Sequence, residues 1–99
     1  PKEAQQKVEA VLKNSFRLRA DLAMLIVMAK EFLSSIHSCA KGSIRNDLVV
    51  ASGLLDGAFQ GALATANINV VYMKDEKERT HCEEALSKLK VRHSKAKFD

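Results

Sequence analysis

With 99 residues the chain makes a single domain at most, and a domain of this size buries only about 60% of the surface that its unfolded form exposes. Apolar residues make up 46% and charged residues 28%, with one Pro and four Gly, a balance that excludes a disordered segment and predicts a small folded core. The formal charge of +4 comes largely from the ends, from Lys13, Arg17 and Arg19 early and from Lys88, Lys90, Arg92, Lys95 and Lys97 late. Basic residues near a helix C-terminus are what the helix dipole favours. With four Phe, one Tyr and no Trp there are few rings for stacking bases, so nucleic-acid binding ranks last among the functions considered.

From Lys2 to about Ala40 there is no Pro or Gly, and apolar residues recur at helical spacing: Val8, Val11 and Leu12, then Leu18, Leu22, Leu25, Ile26, Ala29, Phe32, Leu33 and Ile36. The pattern predicts one long helix, with Asn14-Ser15 as the place for a break. Lys41-Gly42-Ser43 is the first clear stop, and Gly42 stands where a C-terminal cap favours a residue tolerant of positive φ.

Ser43 or Asn46 is expected to cap the second helix, with Asp47 in its first turn. This helix should run to about Tyr72 or Met73. Between Leu48 and Val71 its strongly polar side chains are Asp56, Gln60, Asn67 and Asn69, a run apolar enough to raise the question of a membrane span. Asp56 would then sit near the bilayer centre at a cost of about 2.5–3.5 kcal/mol, so the segment is read as a buried helix of a soluble protein. Gly53, Gly57, Gly61, Thr65 and Asn69 fall every fourth residue and share one face, where the glycines allow another backbone to come close. Each glycine costs about 0.5–1 kcal/mol relative to Ala in a helix, so the stripe calls for helix packing, and so short a chain is expected to find that cover in a second copy.

Lys74-Asp75-Glu76-Lys77-Glu78 marks a break and a new start, with Asp75 as N-cap and Glu78 completing a capping box. The third helix, about Glu76 to His93, carries Cys82, Ala85, Leu86, Leu89 and His93 on one side and charge on the other. The fold expected is all-α, a bundle of three to four helices completed by oligomerisation.

Walker, Rossmann, nucleophile-elbow and zinc-protease motifs are absent from the sequence. His37 with Cys39, and His81 with Cys82, point to different sides of a helix, and no second pair completes a tetrahedral site, so no metal is expected and each pair reads as a surface His beside a buried Cys. Cys39 and Cys82 lack a C-x-x-C arrangement and no leader precedes them, which reads as reduced thiols in a cytoplasmic protein. Asp56, among Leu54, Leu55, Ala58 and Phe59, must reach solvent or find a partner. Asn46, Asp47 and Asn69 are polar groups at the two ends of an apolar helix, read either as caps and carbonyl donors or as site residues.

In Ser43-Ile44-Arg45-Asn46-Asp47, Gly61-Ala62, Asn67-Ile68-Asn69 and Met73-Lys74-Asp75-Glu76, the sequence resembles the formimidoyltetrahydrofolate cyclodeaminase and methenyltetrahydrofolate cyclohydrolase family over roughly residues 18 to 90. Asp47, Gly61, Ala62, Ile68, Asn69, Lys74 and Asp75 fit the family pattern without a gap. The chain departs from it at Asn46, Thr65 and Asn67, and the proline- and glycine-rich N-terminal half is missing. The resemblance implies a helical bundle that dimerises and a tetrahydrofolate derivative as ligand, with no other cofactor. It implies Asp47 as the carboxylate facing the cationic one-carbon bridge, Asn69 and Asn46 as its hydrogen-bonding partners, and Asp56 as the alternative. Arg45 or Lys41 would meet the anionic glutamate tail. The competing reading is a non-catalytic module of the same fold, in which the glycine-lined face packs against a partner.

Overall fold

The computed structural model describes residues 1–98 and consists of three helices in chain order, α1 (Lys2–His37), α2 (Ser43–Val71) and α3 (Glu76–Lys95). Among the described residues there is no strand, in keeping with the all-α reading. The four-to-five-residue connections fold each helix back on the one before. Side-chain contacts fix the directions: the backbone N–H of Lys74, just after α2, donates to Glu9 near the start of α1 at 2.7 Å. Lys13 pairs with Glu78 at 3.7 Å and Ser34 donates to the Lys97 carbonyl at 2.8 Å, so α3 runs alongside α1 and against α2.

α1 passes through Asn14-Ser15 without a break, because nothing there removes a backbone donor and Phe16 is buried in the core immediately after. It stops three residues earlier than expected. Cys39 and Ala40 donate to the carbonyls of Ile36 and His37 at 3.1 and 3.2 Å, tightening the end into turns that satisfy its last acceptors. Gly42 does adopt positive φ, at 63°, but it does so at the N-cap of α2 and not at the end of α1. The swing it makes leaves Ser43 already helical, so neither Ser43 nor Asn46 caps α2 and no side-chain cap bond forms. Asp47 lies beyond the first turn.

α3 starts as its sequence indicates: Asp75 accepts from the N–H groups of Lys77 and Glu78 at 3.0 and 3.3 Å. Glu78 does not close a reciprocal box. It pairs with Lys13 and accepts from the Cys82 thiol at 3.7 Å.

The core lies along one seam, with Phe16, Val27, Phe59, Leu63, Met73 and Leu86 at its centre. It is thin. The radius of gyration is 16.8 Å and the molecule measures 62 × 18 × 14 Å, whereas a compact chain of this length has a radius near 13 Å. The expectation that α2 is buried therefore holds for one side only. Ser52, Phe59, Ala62, Leu63, Ala66 and Val70 face α1 and α3, while Leu54, Ile68 and Val71 are exposed. A Cβ on Gly53, Gly57 or Gly61 would meet nothing within 4 Å. The glycine stripe does not make the α1–α2 contact; larger residues on the adjoining face do. By length and composition alone α2 could cross a membrane, a property it shares with core helices of soluble proteins.

Candidate functional site

The residues singled out by sequence fall into three places along α2. Arg45, Asn46 and Asp47 stand exposed near its start, where Arg45 donates from Nε to the His37 Nε2 at 3.4 Å. His37 is buried and its ring lies 4.4 Å from that of Phe98, while Cys39 is exposed, the reverse of the surface-His, buried-Cys expectation for this pair. The expectation holds for His81, exposed, and Cys82, buried. Among the described residues no group of His, Cys, Asp or Glu is arranged to hold a metal.

Asn69 lies near the other end. It donates to the Thr65 carbonyl at 3.4 Å, and Thr65 in turn donates to the Gly61 carbonyl at 2.9 Å, the carbonyl satisfaction that its position suggested. Twenty-two residues separate it from Asp47, about 33 Å at 1.5 Å per residue. The two cannot address one ligand within one chain.

Asp56 occupies the middle of α2 and has found partners on both other helices. Its Oδ1 accepts from Lys30 Nζ of α1 at 2.6 Å and lies 2.8 Å from His93 Nε2 of α3. The His93 ring stacks on Phe59 at 3.9 Å with 10° between the planes. Burial disfavours the charged carboxylate, but the hydrogen bonds and charges of Lys30 and His93 outweigh it and hold Asp56 below the ordinary carboxylate range. The Lys30 side chain is only 8% exposed, that of Asp56 44%, so the cation depends on the carboxylate more than the reverse. Chemically this is a fixed anion joining three helices. Sequence reasoning required a partner for Asp56 and set His93 on the inner face of α3, but missed Lys30; the available signal was a lysine four residues after Ile26, on the face that enters the core.

A second cross-link lies nearer the surface, where Arg92 grips both oxygens of Glu31 at 2.7 Å. That contact holds the Glu31 carboxyl below its usual value. Beside it an open depression of about 420 Å³ between α1 and α3 is lined by Ala20, Asp21, Met24, Ala85, Leu89 and Arg92, among others. None of Arg45, Asn46, Asp47, Asp56 and Asn69 borders it.

The formiminotransferase-cyclodeaminase family model matches residues 1–88. The chain belongs to this family. The match extends N-terminally beyond the motif-bearing stretch from residue 18 and takes in nearly all of α1 as well as α2 and most of α3. No curated protein and no solved structure matches the chain. Family membership ties the chain to folate-related proteins.

Proposed function

We propose that the chain acts in one-carbon metabolism on a tetrahydrofolate derivative, as a cyclodeaminase- or methenyltetrahydrofolate cyclohydrolase-like protein of the cytoplasm. The observation that carries this reading is the family match over residues 1–88, together with an exposed Asp47 flanked by Asn46 and Arg45 at one end of α2. The reactions in question close or open a one-carbon bridge between two nitrogens of reduced folate. Closing it needs a base to take a proton from the attacking amine and an acid to assist ammonia's departure; opening it needs an activated water. The methenyl bridge is cationic, and a carboxylate held in a partly desolvated cleft stabilises it electrostatically.

Asp47, exposed within one copy, is assigned that role in a cleft that a second copy would complete, with Asn46 beside it and Arg45 or Lys41 toward the glutamate tail. Asp56 is a weaker candidate for the same work, since its carboxylate is already committed to Lys30 and His93. Asn69 can join Asp47 only if it comes from another copy of the chain, which makes a homo-oligomer, in the simplest case a dimer, part of the proposal. Asp47→Asn should abolish the absorbance change on incubation with methenyltetrahydrofolate while the fold is kept; unchanged turnover would remove Asp47 from the mechanism.

A second reading is favoured by the open glycine face of α2, where a Cβ meets nothing: a non-catalytic helical module whose role is to assemble. Folate separates the two. A catalytic or ligand-binding protein melts at a higher temperature in its presence, and a purely assembling module does not.

A further inference from the structure

Two cations, Lys41 and Arg45, stand near the start of α2, and only one of them is held in place. Lys41 lies exposed in the connection before Gly42, and among the described residues its ammonium makes no ion pair or hydrogen bond. Such a side chain is a mobile point charge, and ordering it on a ligand costs conformational entropy. Arg45 differs. Its Nε donates to Nε2 of His37 at 3.4 Å. The His37 side chain is buried, at 5% exposure, and its ring lies against Phe98 with 4.4 Å between the ring centres. His37 is the last residue of α1, so its acceptor is fixed by that helix and by the Phe98 ring beyond the end of α3. An arginine has donors and no acceptor, so Nε2 accepts here and the imidazole carries its proton on Nδ1. At 3.4 Å the bond is a long one, which steers the guanidinium more than it binds it.

We propose that His37 is a positioning residue, which turns the Nη1–Nη2 end of Arg45 toward a carboxylate and makes Arg45, not Lys41, the group that selects a ligand with an anionic tail. With Nε engaged, the two terminal nitrogens remain, without a partner among the described residues. Their parallel N–H groups match the two oxygens of a carboxylate, and a fork already steered loses less freedom when the ligand arrives. Arg45 and Asp47 are two positions apart and so do not face the same side of α2. The guanidinium and the Asp47 carboxylate therefore meet different parts of an elongated ligand, tail and bridge. The assignment rests on the folate reading above and goes beyond it by naming the cation and what holds it.

Isothermal titration of the full chain compares methenyltetrahydrofolate with the analogue whose glutamate is the neutral diamide. The parent should prefer the acid about tenfold. His37→Phe keeps a ring against Phe98 but offers no acceptor; its preference should fall about threefold or more, while its affinity for the diamide stays. His37→Gln, which restores a side-chain acceptor, should recover it. Arg45→Met should abolish the preference and Lys41→Met should leave it. A ring needed only for packing would weaken both ligands alike, through a lower melting temperature, and that result overturns the proposal. So do a full preference in His37→Phe, no recovery in His37→Gln, or a loss in Lys41→Met. A parent that binds neither ligand sinks the folate reading and the proposal together, whereas one that binds both equally well sinks the tail assignment alone.

Discussion

Replacing Asp56 with Asn keeps the size of the side chain and removes the charge on which two helices converge. Lys30, whose side chain is 8% exposed, is left with a buried ammonium and no anion. Breaking a fully buried pair costs about 3–5 kcal/mol and an exposed one about 0–1 kcal/mol. With one partner buried and the other 44% exposed, an intermediate cost of about 2 kcal/mol applies for Lys30. The weakened bond from His93 adds about 0.5–1 kcal/mol. For a small protein unfolding in urea this moves the midpoint down by roughly 1–2 M, measured by circular dichroism at one fixed protein concentration so that association does not enter. Adding Lys30→Met to Asp56→Asn should recover much of the loss, because the stranded charge is gone. A loss below about 0.5 kcal/mol, or no recovery in the double variant, would refute the anchoring role.

The same carboxylate sets an acid limit. Its folded pKa lies below the unfolded one, so its contribution is present above the ordinary Asp value near pH 4 and disappears as pH falls through the lowered folded value; urea midpoints should drop more steeply there for the parent than for Asp56→Asn. Thiol labelling should distinguish the cysteines. Burial and the adjacent Glu78 push the Cys82 thiol up to about 11, so near neutral pH only exposed Cys39 should react until the chain is unfolded. Gly57→Ala should stabilise α2 by about 0.5–1 kcal/mol, since a Cβ there meets nothing. A loss of stability would mean that this face is already covered in solution.

The three helices were readable because their signals are local. Uninterrupted 3.6-residue periodicity marks α1, apolar composition marks α2, and Asp75 makes the two N-cap bonds expected of it. The loop between α1 and α2 departs from its expected detail because one glycine with positive φ suits either a helix end or a helix start, and the backbone path decides which. Burial was the least legible property. α1 and α2 are apolar on more than one face, and sequence cannot say which face the chain covers for itself; here the larger residues, Phe59 and Leu63, do so, and the glycines stay open. The link from Asp56 to Lys30 joins residues 26 positions apart, which no local pattern announces. Asp47 and Asn69 fit two separate segments of the resemblance, and helix geometry sets them too far apart to share a ligand within one copy.

The claim on which the function rests is that this family member takes up a reduced folate. Its melting temperature with and without saturating methenyltetrahydrofolate tests that directly: a ligand-dependent rise, reduced by Asp47→Asn, is the predicted result, and an unchanged melting temperature in the parent protein would contradict it.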